Sequence, residues 1–442
     1  MPARSVRRSF IACVIFAMAA SLPAEVKVVK DFTLIDGTGR PAEAHAAMIL
    51  NNGRIEWVGP VSRLKPPASA QIVDLKGRYV IPGLIDDHVH LGAVIGLDQS
   101  ASNETRQNVE HDLRTYALYG VTTVQSLGTD KDFVLMMRDG QRATGRPREA
   151  RIFSAGQGMV FKNGYGGLAG VNQQIATDAE ARAAVDAQAA KHVDLIKLWM
   201  DDDLGAFRQK MPYDMAKAII DEAHKDHLRA VAHVFYLEDA QHLANMGIDG
   251  FAHSIRDQPV NQTLLQSMKA HGVWQMAATL SREESIFVYG EGAPFLKVPF
   301  FTRGVSPQVV ATLSSAAYRQ KVHSDPHFRQ YPVFLANAER NLKAEAEEGI
   351  PYGCGTDSGP PGRFPGYFLH LEMELMVQSG LTPMQALTAC TRNAAEFLHA
   401  NDLGTIEAGK WGDFVVLEKN PLDDIRNTRT IEVVYIAGNP IN

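Results

Sequence analysis

The chain of 442 residues is poor in cysteine and has no excess of positive charge. Its three cysteines are too few for a disulfide framework, and we interpret Cys354 and Cys390 as small buried hydrophobic residues. Lysine and arginine total 44 against 50 aspartate and glutamate residues, which gives a net charge of -6 without a basic cluster. This balance argues against nucleic acid as a partner.

Several motifs of common enzyme classes are also absent. The chain contains no G-x-G-x-x-G, Walker A loop, H-E-x-x-H, C-x-x-C pair or G-x-S-x-G elbow. Nucleotide, zincin and serine-hydrolase sites of those types are therefore disfavoured. Hydrophobic residues make up 45% and charged residues 21%, which is typical of a globular protein with a sizeable core.

The N-terminus carries an apolar run at residues 10–20 that is too short to span a membrane. Three arginines precede it, and small residues at Ser21 and Ala24 offer cleavage sites. We expect residues 1–24 to be a secretory signal peptide, with an uncleaved anchor as the alternative. The mature protein would then be secreted or periplasmic, without stable membrane insertion.

Both ends of the mature chain have the texture of short strands joined by polar turns. Residues 25–78 contain turn signals at Asp36-Gly37 and Asn52-Gly53, and residues 403–442 repeat the pattern. Neither piece is long enough to bury a core alone. We expect them to form one small β-sandwich, with a catalytic domain of residues 79–402 inserted between them.

The central region alternates short apolar runs with helical patterns such as residues 177–192 and 213–227. This alternation predicts an α/β fold, a (β/α)8 TIM barrel, with an open doubly wound sheet as the alternative. The eight runs are residues 79–90, 120–128, 151–159, 194–200, 229–235, 250–255, 272–280 and 350–357.

Two segments are longer than a simple connection requires. Residues 156–170 hold six glycines and form either a flexible loop or a cover over the site. Residues 281–349 include an aromatic patch at Phe295, Phe300 and Phe301, which suggests a lid or a subunit contact.

Ligand-type residues lie where the barrel strands end, which is the catalytic face of such a barrel. His88 and His90 are one residue apart on the first strand, so their side chains project together as half of a metal site. Charged or polar groups are costly in apolar strands without partners. The other ligand-type residues at strand ends are Lys197, His233, His253 and Asp357. We assign the remaining eleven histidines, His370 among them, to surface or capping roles.

These residues resemble the metal-ligand pattern of the amidohydrolase superfamily. The similarity spans nearly the whole mature chain, through PGLIDDHVH, DLIKLW, AVAHV, FAHS, GTDSG and GTIEAGKWGDFVVL. It implies that carbon dioxide carboxylates Lys197, whose carbamate bridges two divalent metal ions, with zinc as the first choice. It further implies that His88, His90 and Asp357 hold one ion, and that His233 and His253 hold the other.

The resemblance is greatest to prolidase-like dipeptidases, carboxypeptidase-like enzymes and ochratoxin-type amidases. It implies hydrolysis of an amide bond in a dipeptide or N-acyl amino acid by a metal-bridging hydroxide, with Asp357 as the proton shuttle. Ester or lactone hydrolysis and a mononuclear imidazolonepropionase- or deaminase-like reaction are the alternatives. Family deaminases carry a glutamate three residues after the strand-five histidine, where this chain has Tyr236.

Substrate contacts are expected on the loops at the same face. A guanidinium can grip a carboxylate through two hydrogen bonds, so Arg256 and Arg363 are candidates to bind a free carboxylate. Trp199 and Tyr236 would suit an apolar body, together with the patch at Phe300 and Phe301. Tyr165 would replace the histidine that the related branch often has in its glycine-rich loop. The oligomeric state stays open, and a homo-oligomer is one expectation.

Overall fold

A computed structural model describes residues 25–441, so the predicted signal peptide lies outside the described residues. Strands β1 to β18 follow one another along the chain. Their bounds are Val26–Leu34, Glu43–Asn51, Arg54–Pro60, Gln71–Pro82, Leu84–Val89, Val94–Ile95, Asp98–Gln99, Val121–Ser126, Arg151–Ser154, Met159–Phe161, Gln173–Ile175, Ile196–Met200, Ala230–Val234, Gly250–Phe251, Trp274–Gln275, Phe414–Leu417, Ile431–Ile436 and Asn439–Ile441.

Helices α1 to α14 lie between these strands and after the barrel. None of the helices in residues 25–441 has both the length and the apolar character needed to cross a membrane. Their bounds are Arg106–Leu118, Asp132–Thr144, Asp178–Ala189, Tyr213–Lys225, Leu237–Met246, Gln262–His271, Leu280–Glu291, Pro299–Thr302, Pro307–Leu313, Ala316–His323, Tyr331–Glu348, Tyr367–Gln378, Pro383–Thr388 and Ala394–Phe397.

Both chain ends build one seven-stranded sheet, in the order β18-β17-β16-β4-β1-β2-β3. Its core contains Phe32 and Met48 from the N-terminal part and Phe414 from the C-terminal part, all fully buried. Strand β4 continues to Pro82, which pairs with Phe414. The sheet therefore reaches four residues beyond the expected boundary at residue 78, because Tyr79–Pro82 pairs with β16 before the chain turns into the barrel.

The inserted domain closes as a barrel of parallel strands. β5 pairs with β8 and β8 with β9, and β12 to β15 pair in sequence. A hydrogen bond from Asp194 N to Ser154 O joins these two groups. The eighth strand position completes the ring through parallel bridges of Tyr352 to Gln275 and Ser358 to Val89. The predicted TIM barrel with a small β-sandwich is confirmed.

The prediction for the two cysteines was wrong in one respect. Cys354 and Cys390 are both fully buried, but they form a disulfide across 36 residues of sequence. Cys354 lies on the eighth barrel strand position, and Cys390 lies in a π-helical turn, Ala389–Asn393. Packing of this turn beside the barrel brings the two Cα atoms within 4.8 Å, a separation that a disulfide spans.

The long segment after β15 is a helical layer rather than a lid. Helices α7 to α11 fill most of residues 281–349, and Phe295 and Phe301 lie in the main hydrophobic core. Phe301 packs edge-on against Tyr367, with ring centroids 4.9 Å apart. Phe300 packs against the same core. The interpretation of this aromatic patch as a lid or a substrate wall was therefore wrong, because the rings stabilise the protein interior. The expected subunit contact stays a prediction.

One histidine departs from the predicted surface or capping role. His370 of α12 is only 1% exposed. Its Nε2 donates to the carbonyl oxygen of Tyr119 at 2.8 Å, and its Nδ1 hydrogen-bonds with the hydroxyl of Thr428 at 2.9 Å. His370 therefore joins α12 to α1 and to the C-terminal segment inside the core.

Candidate metal centre and catalytic cavity

Four histidines and one aspartate converge at the C-terminal ends of the barrel strands. The rings of His88 and His253 have centroids 4.7 Å apart, and those of His233 and His253 lie 4.1 Å apart. His90 Nε2 lies 3.0 Å from Oδ1 of Asp357. One ligand atom from each of His88, His90 and Asp357 lies within 4.8 Å of the others.

Each histidine of this cluster has one ring nitrogen held by the protein. His88 Nδ1 donates to the carbonyl oxygen of Ala252 at 2.8 Å, and His233 Nε2 donates to Asp201 at 2.8 Å. Threonine hydroxyls hold the other two rings. Nδ1 of His90 hydrogen-bonds with Thr129 at 2.7 Å, and Nδ1 of His253 hydrogen-bonds with Thr279 at 2.9 Å. Such outer contacts fix ring orientation and leave the second nitrogen free to bind a metal.

Burial keeps the imidazoles of His88, His233 and His253 neutral, the form that binds metal. It lowers the pKa of His233 to about 4, although the hydrogen bond with Asp201 opposes the change. Burial lowers the pKa of His88 and of His253 well below the ordinary value. Burial raises the pKa of Asp201, but the hydrogen bond from His233 and the positive charges of His233 and Arg256 together outweigh it and lower the pKa to about 2.

Lys197 enters the same space from β12. Its side chain is only 1% exposed, and its Nζ has no hydrogen-bond partner among residues 25–441. The nitrogen lies 5.1 Å from the ring centroid of Trp199. Burial lowers the pKa of Lys197 to about 7, so a large fraction of the amine is neutral near neutral pH. A neutral, unpaired amine is the form that reacts with carbon dioxide.

The two carboxylate oxygens of Asp357 face different partners. Oδ1 faces the imidazoles of His90 and His88, at 3.0 and 3.6 Å. Oδ2 lies 3.2 Å from Nε of Arg282 and 3.0 Å from Nη1 of Arg363. Burial favours protonation, but Arg363 and the histidines hold the pKa of Asp357 well below its usual range. Its backbone φ of 54° is in the left-handed region, which is uncommon for non-glycine residues.

A cavity of about 500 Å³ opens above the histidines. The glycine-rich loop forms one wall, and Tyr165 from this loop meets the ring of His233 edge-on at a centroid distance of 5.5 Å. Trp199 forms another wall, and Gly166, with a φ of 122°, lies so close to the indole that a Cβ would collide with it. The loop therefore covers part of the site, one of its two predicted roles.

The predicted substrate residues occupy different positions. Arg363 lines the cavity, as Tyr165 and Trp199 do. Arg256 is 1% exposed, donates to the carbonyl oxygens of Val234 and Ser254, and pairs with Glu283 at 3.1 Å. Tyr236 donates its hydroxyl to Asp202 at 2.8 Å. Neither Arg256 nor Tyr236 lines the 500 Å³ cavity.

Two charged residues that were not predicted complete the site. Arg282 lines the cavity two residues beyond Leu280, where the seventh apolar run ends, and binds both Asp357 and Glu283. Glu283 also pairs with Arg256, so alternating charges connect Arg256 to Asp357. Their place after a barrel strand was a usable signal, because loops at that face carry functional residues.

The donor set fits a divalent metal centre. Four buried imidazoles with supporting hydrogen bonds, a carboxylate and an unpaired buried lysine nitrogen are brought together at one barrel mouth. Nitrogen-rich sites of this kind suit zinc and neighbouring transition metals better than calcium or magnesium.

Comparison with known proteins adds to this geometry. The sequence model of the amidohydrolase family matches residues 79–441. The chain is 26% identical to the imidazolonepropionase of Deinococcus radiodurans over 409 residues, 89% of this chain and 91% of that protein. It is similar in fold to a Xaa-Pro dipeptidase, with 20% identity, a TM-score of 0.74 and coverage of 94% and 99%. The ochratoxinase of A. niger has 19% identity, a TM-score of 0.72 and coverage of 94% and 95%.

Proposed function

This chain belongs to the amidohydrolase family and is a metal-dependent hydrolase of C–N bonds, and we propose that it cleaves the amide bond of a dipeptide or N-acyl amino acid. The single observation that carries the proposal is the buried Nζ of Lys197, which has no partner among residues 25–441 and lies close enough to His88 and His233 for its charge to lower the pKa of both imidazoles. A lysine in that state suits a carbamate that bridges two metal ions, zinc being our choice. His88, His90 and Asp357 would hold one ion, and His233 and His253 the other.

The side chains support proton transfer at the scissile bond. When bound, the metal ions polarise the substrate carbonyl and activate a water molecule at neutral pH. Asp357 Oδ2 is fixed by two arginines, so Oδ1 is oriented to accept a proton from that water and deliver it to the leaving amine. The pKa of Tyr165 is raised by burial, which keeps its hydroxyl protonated and able to donate to the carbonyl oxygen.

Positive charge in the cavity supports a substrate with a free carboxylate. Arg363 binds Asp357 through Nη1, while its buried Nε has no partner within residues 25–441. Arg282 lies beside it on the same carboxylate oxygen. A carboxylate placed between these guanidinium groups would form charge-assisted hydrogen bonds without displacing Asp357. Trp199 and the exposed ring of Phe207 add apolar surface for the rest of the substrate.

A mononuclear reaction like that of imidazolonepropionase is the second candidate, because the curated relative of that name covers most of this chain. It would leave the buried amine of Lys197 without a ligand role. Ester or lactone hydrolysis would use the same groups as amide hydrolysis but would not need the spare guanidinium donors. We therefore rank both behind amide hydrolysis.

We also propose that the protein acts in an oxidising compartment, secreted or periplasmic. The disulfide between Cys354 and Cys390 supports this proposal, because structural disulfides persist mainly outside the cytosol.

The test is metal analysis of the purified protein together with a mass-spectrometric screen of dipeptides and N-acyl amino acids, lactones and imidazolone propionate. About two metal ions per chain and release of a free amino acid would support the proposal. One ion per chain with turnover of imidazolone propionate alone would replace it with the mononuclear reaction.

A further inference from the structure

A second cavity of about 360 Å³ lies beside the first one. We call it the side cavity; helix α1, the β6–β7 hairpin, α9 with the residues before it, and the loop after Asp357 surround it. Ile95, Val305, Val309 and Phe364 supply apolar walls. Ile95 is 57% exposed, an unusual state for a large apolar residue beside a cavity.

Asp112 of α1 supplies a carboxyl group to the wall of this cavity, beside polar side chains such as His111 and Thr115. Its Oδ2 accepts a hydrogen bond from Gly92 N at 2.7 Å. Within residues 25–441, no cation acts on it, and burial raises the pKa of Asp112 to about 7. A carboxyl group that is desolvated without a positive partner would gain from a ligand that brings one.

The side cavity and the catalytic cavity share Pro360 and Arg363. Arg363, which binds Asp357, forms part of both walls, so the two cavities adjoin at this residue. In the proposed reaction the substrate carboxylate binds Arg363. The side chain on the same α-carbon lies within a few bonds of that carboxylate, so it is the part of the substrate that can reach the side cavity.

We propose that the side cavity is the subsite for the side chain of the leaving amino acid, and that it selects an apolar stem ending in a cation. The inference rests on the proposed amide hydrolysis. The apolar walls would contact the stem, and Asp112 would pair with a terminal ammonium or guanidinium. His111 and Asn108 line the same space and could hydrogen-bond with that end group.

The experiment compares Nα-acetyl-lysine with N-acetyl-norleucine on the metal-loaded enzyme. The norleucine side chain has the same four-carbon stem but lacks the terminal ammonium group. We expect kcat/KM for the lysine substrate to exceed that for norleucine by about 10- to 100-fold, because a partly buried ion pair is formed only by lysine. Asp112→Asn keeps an oxygen for Gly92 N and should abolish this preference. Glu110→Gln on the same helix, outside the cavity, is the matched control and should retain it.

A second variant tests whether the substrate side chain occupies the volume of the side cavity, independently of the charge of Asp112. Val309→Phe fills the side cavity, so it should slow both long substrates while N-acetyl-glycine is cleaved at the wild-type rate. The proposed subsite would be excluded if the wild type cleaved the lysine and norleucine substrates at equal rates. It would also be excluded if Asp112→Asn kept the preference for the lysine substrate.

Calorimetric binding of free lysine and free norleucine separates this inference from the proposed function. If no amide is cleaved but lysine binds more tightly and Asp112→Asn removes the difference, amide hydrolysis fails and the subsite stands. If amides are cleaved and the two amino acids bind equally, amide hydrolysis stands and the subsite fails.

Discussion

Nη1 of Arg363 lies 3.0 Å from Oδ2 of Asp357, while Nε of the same guanidinium is buried without a partner among residues 25–441. Arg256 lies outside the catalytic cavity, where its Nη1 donates to two backbone carbonyl oxygens and its Nε lies 3.1 Å from Glu283. We therefore predict that Arg363→Ala reduces kcat/KM for a carboxylate substrate by about 30- to 1000-fold, or roughly 2–4 kcal/mol. Steady-state kinetics on an N-acyl amino acid and its methyl ester measure this.

The ratio of acid to ester isolates carboxylate binding, since loss of Arg363 also disturbs Asp357 and slows both substrates. The ratio should collapse in Arg363→Ala. In Arg256→Ala it should stay near the wild-type value, although that variant should be less stable because Glu283 loses a buried partner. Equal rates for the acid and the ester on the wild type would exclude recognition of the substrate carboxylate. Lactones or uncharged amides would then be the favoured substrates.

Lys197 is predicted to be necessary for metal binding. Lys197→Ala removes the amine that would carry the bridging carbamate, so metal content should drop and activity should fall by orders of magnitude. Short-chain carboxylic acids should partly restore the rate by occupying the vacated space. Metal analysis and kinetics with and without added acetate or propionate measure both effects.

Lys191→Ala is the control, because that lysine pairs with Asp132 at the surface and should have no effect on metal content. Wild-type metal content in Lys197→Ala would contradict the binuclear proposal.

Asp357→Asn should reduce kcat by about 100- to 10,000-fold with little change in substrate binding. The amide has the shape of the carboxylate and keeps one oxygen, but it has no negative charge and no basic oxygen. It therefore cannot accept the proton that Asp357 would take from the water. Normal turnover across about pH 6–9 by a variant with full metal content would exclude proton transfer by Asp357.

The fold and the proposed metal ligands were predictable because polar residues in apolar strands have few alternatives to a functional role. His233 and Lys197 each interrupt a run of apolar residues, and the barrel rule assigns their strand ends to one face. Arg282 and Glu283 do not stand out in this way, because no apolar run surrounds them. They lie among other polar residues at the start of α7, and their pairing with Asp357 and Arg256 depends on how helix and barrel pack.

The disulfide and the buried histidine were missed for a related reason. Cys354 and Cys390 are 36 residues apart, and only the packing of a helical turn beside the barrel brings them together. His370 lies in a helix whose buried face includes Tyr367, Leu371 and Met373, so helical periodicity did not separate a buried imidazole from a surface one. In both cases the deciding contact is long-range, and local pattern does not encode it.

The buried position of His370 predicts a pH-dependent loss of stability. Burial lowers the pKa of His370 to about 3, whereas the unfolded chain has the ordinary value near 6.5. Above about pH 6.5 both states are neutral and the histidine adds no pH dependence. As the pH falls below 6.5 the unfolded state binds a proton that the folded state excludes, so the free energy of unfolding should decrease by up to roughly 1.4 kcal/mol per pH unit.

Chemical denaturation between about pH 4.5 and pH 7.5 measures this slope. His370→Gln removes the titrating group while its amide can still hydrogen-bond with Tyr119 or Thr428, so the variant should be less stable at neutral pH but have a shallower slope below pH 6.5. His45→Gln is the control, because His45 is exposed and the variant should keep the wild-type slope. Parallel curves for wild type and His370→Gln would mean that the imidazole can be protonated in the folded core, contrary to the lowering of its pKa by burial.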